Sequence, residues 1–301
     1  MNIENLKILE GGLSAPINHM PKRFVSAYAT NTRLMGVLAV YAHWNIAPAL
    51  GLPDLHQFFY IDCEEQGLET YRSFRGDFGP EARLAEQALT GGLGAQKVPI
   101  SERELHWLMS HWRSFNKKHH LPLPENREEY DFIFGGDSEL SYGERRALLD
   151  KICVEISSDY QAVNYFLMRC FGRDYEGANR LTDLSVDFPL DIYDGYEKAT
   201  FCKNIIDPEQ HFGDGSVSYL CESLIEMGGR HETVISKVVI RNLKVIGFEH
   251  CDSYRISSRE AAMMLKKPEF TSVYEFLLDE AETEENIGEF IVGLDTIMTT
   301  H

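Results

Sequence analysis

Residues 34–53 read LMGVLAVYAHWNIAPALGLP and contain no Asp, Glu, Lys or Arg. A run of that length without a charge has to leave water, either into lipid or into a protein core. Only residues 34–42 are continuously non-polar, and His43, Asn45, Pro48 and Pro53 follow them. Placing those groups in hydrocarbon is costly, so the run is expected to be a core element and not a membrane span. Residues 34–42 show no polar face, which implies cover on both sides. A short apolar run of this kind fits a strand or a buried helix. At 301 residues the chain is long enough to supply that cover.

The neighbouring segments suggest what the cover is. Residues 23–29 read as a strand, and 56–63 with 68–74 read as a hairpin about the turn EEQG. Pro80 opens a helix over 80–90. It stops at TGGLGAQKVP, whose glycines follow a helix and so suit a C-cap and linker better than a phosphate loop. Ser101 and Glu104 form a capping-box pattern at the head of a helix running to Lys118. Helical spacing follows over 139–155 and 158–171, and a strand over 130–134 lies before them. Residues 172–197, including DFPLDIYDGY, carry the Gly, Asp and Pro content of a domain boundary. Beyond it, 199–206 reads as a strand. GDGS at 213–216 reads as the start of a helix whose stripe is Val217, Leu220, Cys221, Leu224 and Ile225, ended by Gly228-Gly229. ETVISKVVIRN and LKVIGFEH read as a further β-hairpin. The expected fold class is therefore α+β: an antiparallel sheet with packed helices over 1–175, and a smaller mixed α+β unit with an acidic C-terminal segment over 185–301.

The formal net charge is −18, and residues 268–301 contain no Lys or Arg. That distribution repels phosphate backbones and anionic lipid, and it suits solubility, a basic protein partner or a cation. The six cysteines contain no C-x-x-C pair, which disfavours zinc and redox motifs and suits a reducing, cytoplasmic interior. No signal-peptide core is present at the N-terminus.

Residues 105–120, LHWLMSHWRSFNKKHH, gather four histidines, two tryptophans and three basic residues. On a helix, Leu105, Leu108, Met109, Trp112 and Phe115 fall on one side, which accounts for much of the aromatic content as core. Lys117 and Lys118 suit the negative end of the helix dipole. His106 and His111 are about 140° apart around the axis and cannot share a metal. Trp107 and His111 are left over, one turn apart and off the core stripe, so they are candidates for contact with a partner or with the other domain.

A second candidate is Glu249-His250-Cys251-Asp252 at the end of a strand. Alternation puts His250 and Asp252 on one face, where a His–Asp pair suits general-base chemistry or a metal. His211 and Asp214 would extend this site if the fold brings them close. A third is RISSREAAMMLKKPEFTSVYEFLLDE, residues 255–280. Ser258, Glu260, Ala261, Ala262 and Leu265 resemble the first helix of small helix-turn-helix domains of the excisionase type, and Ser272, Val273 and Tyr274 the start of the second. The resemblance implies DNA reading, but the would-be recognition helix carries Glu275, Asp279, Glu280 and Glu282 and no base. DNA would repel it.

No G-x-S-x-G elbow, Walker loop or H-E-x-x-H occurs. Two readings remain. One is a binding or regulatory module acting through protein contacts at Trp107 and His111 or the acidic segment, without a resident cofactor or metal. The other is a hydrolase-type or metal-dependent enzyme using His250, Asp252, His211 and Asp214. A site that gathers acids and histidines with shifted pKa values separates the two.

Overall fold

A computed structural model describes residues 8–9, 12–13, 20–90, 95–136, 139–183, 199–266 and 271–272. The architecture is α+β, with two five-stranded antiparallel sheets. Two compact units divide the chain: residues up to Arg33 with Val37–Cys153, and Leu34–Gly36 with the residues from Val154 onward.

In the first unit a short pair, β1 (Ile8–Leu9) and β2 (Gly12–Leu13), precedes β3 (Lys22–Thr30), β4 (Val37–Ile46), β5 (Leu55–Asp62) and β6 (Gly67–Arg75). Then come α1 (Pro80–Thr90), β7 (Lys97–Ile100), α2 (Glu102–Lys118), α3 (Arg127–Tyr130) and α4 (Tyr142–Lys151). The sheet order is β6-β5-β4-β3-β7. The uncharged run thus becomes a central strand. Leu38, Val40, Ala42 and Trp44 of β4, with Phe59 and Ile61 of β5, join the core that contains Leu105, Leu108, Met109 and Trp112 of α2. On the other face Tyr41 of β4 and Phe58 of β5 pack with Ala82 of α1, beside Tyr28, Phe74 and Phe78.

The capping box at Ser101 and Glu104 forms as the sequence implies. Near the other end of α2, the fully buried Asn116 closes the edge of the sheet. Its Oδ1 accepts from the Leu68 N–H at 2.8 Å. Its Nδ2 lies within hydrogen-bond distance of the carbonyls of Pro122 at 2.9 Å, Leu68 at 3.1 Å and Gln66 at 3.2 Å. One carboxamide therefore stands in for a neighbouring strand along the first residues of β6. Gly67, at φ +65°, has to be glycine, because a Cβ there would lie 2.2 Å from Asn116 Oδ1.

The second unit contains α5 (Asp159–Phe171), α6 (Tyr175–Leu181), β8 (Thr200–His211), β9 (Val217–Met227), β10 (Arg230–Arg241), β11 (Lys244–Ile256), α7 (Ser258–Leu265) and β12 (Thr271–Ser272), with sheet order β11-β10-β9-β8-β12. Every residue from Ala162 to Phe171 is buried, so α5 has no solvent face in its C-terminal half. Arg169 on it pairs with Asp174 at 3.3 Å, both nearly inaccessible. The guanidinium lies against Gly36, where a Cβ would come within 2.7 Å of it. This packing assigns Leu34–Gly36 to the second unit. The passage between units falls at Cys153 and Val154, ahead of α5, and not in the Gly- and Pro-rich stretch after residue 172.

Other local expectations change too. Residues 217–227 are strand, not helix. Val217, Leu220, Cys221, Leu224 and Ile225 match helical spacing only because a central strand carries apolar groups on both faces. Gly228 and Gly229, both at positive φ, form a two-residue hairpin loop instead of a helix cap. Asn242 and Leu243 do the same between β10 and β11. Residues 131–135 are a 3-10 turn in place of a strand. Thr271 and Ser272 pair with Asn204 and Lys203 of β8, where the helix-turn-helix resemblance puts the start of a second helix. Gly91–Gly94, the DFPLDIYDGY run and residues from Val273 onward lie outside the described residues.

Asn116→Leu is expected to strand several buried backbone groups and lower the unfolding free energy by on the order of 3 kcal/mol in urea denaturation. A loss below about 1 kcal/mol would mean that the edge of β6 is held by other contacts.

Candidate functional site

The far end of β4 acquires a polar face. Alternation from Tyr41 puts Tyr41, His43 and Asn45 on one side and Ala42, Trp44 and Ile46 on the other. His43 is the register partner of His56 on β5. Directly opposed residues share a face, and the two imidazoles stack with centroids 4.3 Å apart and planes at 25°. Asp54, in the turn just before β5, reaches over the same face.

Two patterns of hydrogen bonding distinguish the histidines. His43 Nε2 lies 2.8 Å from Asp54 Oδ2. A ring nitrogen that meets a carboxylate donates, so Nδ1 of neutral His43 carries the lone pair. Among the described residues that Nδ1 has no hydrogen-bond partner. His56 is used at both nitrogens. Its Nε2 is 2.9 Å from the Gly76 carbonyl and must donate there, so its Nδ1 accepts from Tyr41 Oη at 2.7 Å. The surroundings therefore hold His56 in one neutral tautomer.

The titration behaviour follows. Burial first, and the nearby His43 charge second, push the His56 imidazole below its ordinary value, against the upward pull of the Gly76 carbonyl and of Asp54 and Asp77. Burial, together with the charges of Glu86 and Asp54, pushes the Tyr41 phenol up to about 12. Burial alone would raise the Asp54 carboxyl. Hydrogen bonds from Asn45 and His43, with the charges of both histidines, outweigh it and leave Asp54 below the usual carboxylate range. Asp54 is thus an anion at neutral pH. An imidazole oriented by a carboxylate on one nitrogen and open at the other is the arrangement of a general base. The row continues to the sheet's other edge. Tyr28 stacks on Tyr41 at 4.9 Å and hydrogen-bonds Glu86 of α1, which also pairs with Lys97 at 2.9 Å.

The sequence-derived candidates are distributed differently. His250 is opposite Ser236 and Asp252 is opposite Ile235, with Cys251 as the extra residue of a bulge. Because Ser236 and Ile235 alternate in β10, the bulge sends His250 and Asp252 to opposite faces. His211 is on β8, three strands from β11, a separation of roughly 14 Å before any offset along the strands. Asp214 turns its carboxylate to Ser216, at 2.6 Å from Oγ and 3.1 Å from the N–H. All four side chains are exposed and do not converge. Trp107 packs partly against the first unit's core and stacks on His111, centroids 5.2 Å apart. Of the other histidines in that stretch, His106 is buried and donates from Nδ1 to the Ile133 carbonyl, and His119 stacks on Phe115. Among the described residues no three His, Cys, Asp or Glu side chains are grouped to hold a metal.

Sequence reasoning missed His43, Asn45, Asp54 and His56. The signal is the period-two pattern YAHWN at 41–45, which is hidden when the run is read only through Ala42. No family model, curated protein or solved structure matches the chain.

His56 gives the site a pH signature. Its imidazole is depressed in the folded state, so below the ordinary value of 6.5 the unfolded chain binds the extra proton first. The His56 contribution to stability is present above that value and is lost as pH falls through it. Denaturation at pH 7, 6 and 5 should show stability falling with acid, and a shallower fall in His56→Gln. Equal slopes in the two proteins would show that His56 is not held neutral.

Proposed function

We propose that the protein is an acid–base enzyme of the hydrolase type, with His43 as its working base on the face of the first unit's sheet that α1 partly covers. The observation that carries this reading is the asymmetry of the stacked pair: Asp54 orients His43 and leaves Nδ1 open, whereas both nitrogens of His56 are engaged. In this reading His43 Nδ1 takes a proton from a water or a substrate hydroxyl. The Asp54 carboxylate stabilises the imidazolium that forms, and His56 supplies a neutral flank. The reading places the site in the first unit because, among the described residues, His43, Asp54 and His56 meet, whereas His250, Asp252 and His211 stand on separate strands or faces and Asp214 binds Ser216.

The test is a panel of carboxylic ester, amide and phosphoester substrates. With any substrate that is turned over, His43→Gln should lower kcat by about 10²- to 10⁴-fold, whereas His250→Gln should leave it unchanged. Turnover that survives His43→Gln overturns the reading, and turnover lost with His250→Gln restores the second-unit one.

A second reading keeps a role in protein contacts. It is supported by the half-buried Trp107 stacked on His111, a rigid aromatic pair on one flank of α2. The net charge of −18 favours a basic protein over nucleic acid as partner. No described helix is long and apolar enough to cross a membrane, and all six cysteines are free, in keeping with a reducing compartment such as the cytoplasm. Trp107→Ala should leave folding intact and change the oligomeric state or the retention of a basic partner in light-scattering chromatography. An unchanged profile with the isolated chain and with that partner counts against this role.

A further inference from the structure

We propose that Arg23 and Asn45 are positioning residues for His43, and that Arg23 acts at a distance by fixing which way the Asn45 amide points. The inference rests on reading His43 as the working group and names the residues that hold it ready.

Arg23 is the register partner of Asn45 across β3 and β4. It brings two donors to one acceptor: Nε is 3.1 Å and Nη2 2.6 Å from Asn45 Oδ1. A carboxamide has an oxygen end and a nitrogen end, and a guanidinium has only donors. Arg23 therefore accepts only one of the two amide orientations. With Oδ1 held toward Arg23, Nδ2 points to Asp54 and donates to its Oδ1 at 2.5 Å. That bond turns the carboxylate so that its other oxygen, Oδ2, is the one presented to His43 Nε2 at 2.8 Å. Nε2 then has to carry the proton, and Nδ1 is left as the base. The chain runs Arg23 to Asn45 to Asp54 to His43, and each link is a donor meeting an acceptor.

Each member has a consequence that a merely structural role would not have. Without Arg23, the Asn45 amide is held by Asp54 alone and can swing away, which leaves Asp54 Oδ1 without its donor. The carboxylate loses its fixed orientation, and His43 can place its proton on either nitrogen. A lysine at 23 still offers a donor to Asn45 Oδ1 and should restore the order. Arg23 is solvent-exposed, so its replacement leaves the core untouched.

The experiment is nitrogen-15 NMR of the histidine side chains in the full chain at pH 8, where long-range proton–nitrogen correlations report the tautomer. Wild type should show His43 as the Nε2–H form alone. Arg23→Ala and Asn45→Ala should each show a mixture in which the Nδ1–H form rises several-fold, Arg23→Lys should return to one form, and His56 should stay Nε2–H throughout. Thermal midpoints within about 2 °C of wild type would show that the fold is kept. A single, unchanged His43 tautomer in both alanine variants overturns the positioning chain, whatever the substrate assays give. A tautomer that responds, with turnover that survives His43→Gln, upholds the chain and removes the catalytic reading.

Discussion

The first unit is built around one requirement: a strand without a polar face cannot stand at a sheet edge or toward water. Val37–Ile46 meets it by pairing on both sides, with β3 and β5, and by taking cover on both faces. The α2 helix covers one face, and α1 with its aromatic neighbours covers part of the other. The cover is unequal. One face continues under a long helix, whereas the other has only the eleven-residue α1. His43 and Asn45, at the end of β4, lie half-buried on the face that α1 partly covers.

Several polar groups close to this unit's core find partners, and they do so in two ways. Asn116 has both its amide nitrogen and its oxygen engaged by backbone groups, which makes it a lock. Glu129 is comparable, tied to Tyr71, Ser73 and Arg75. The His43–Asp54 pair is different, because it leaves one nitrogen open on a face that water reaches. The second unit has a lock of its own in Arg169 and Asp174. Losing either partner there would leave a buried charge uncompensated.

Much of the fold is legible in the residues. The α+β class, the strands β3 to β6, the helix α1, the capped helix α2 and the β10–β11 hairpin all follow from periodicity, caps and turn residues. The misreadings have physical causes. Residues 217–225 carry apolar groups at helical spacing, but β9 is a central strand with apolar groups on both faces, and Leu220 among them is exposed. The unit boundary lies ahead of α5, because that helix is buried from Ala162 to Phe171 and belongs with the residues that follow it. Alternation put His250 with Asp252, and a bulge at Cys251 undid it; a one-residue slip of that kind leaves little trace in sequence. His43 and His56 are far enough apart in sequence that only the hairpin register brings them together. Asp54 looks like an ordinary turn residue until that register is known.

The account stands or falls on one imidazole being open and its stacked neighbour closed. Brief treatment of the native protein with diethyl pyrocarbonate, followed by peptide mass spectrometry, measures this directly, because the reagent adds to an unprotonated ring nitrogen that it can reach. His43, half-buried, should be modified more slowly than the exposed His250 but well ahead of His56, which should be protected until the protein unfolds. Equal labelling of His43 and His56, or protection of His43, would contradict the arrangement on which the proposed chemistry depends.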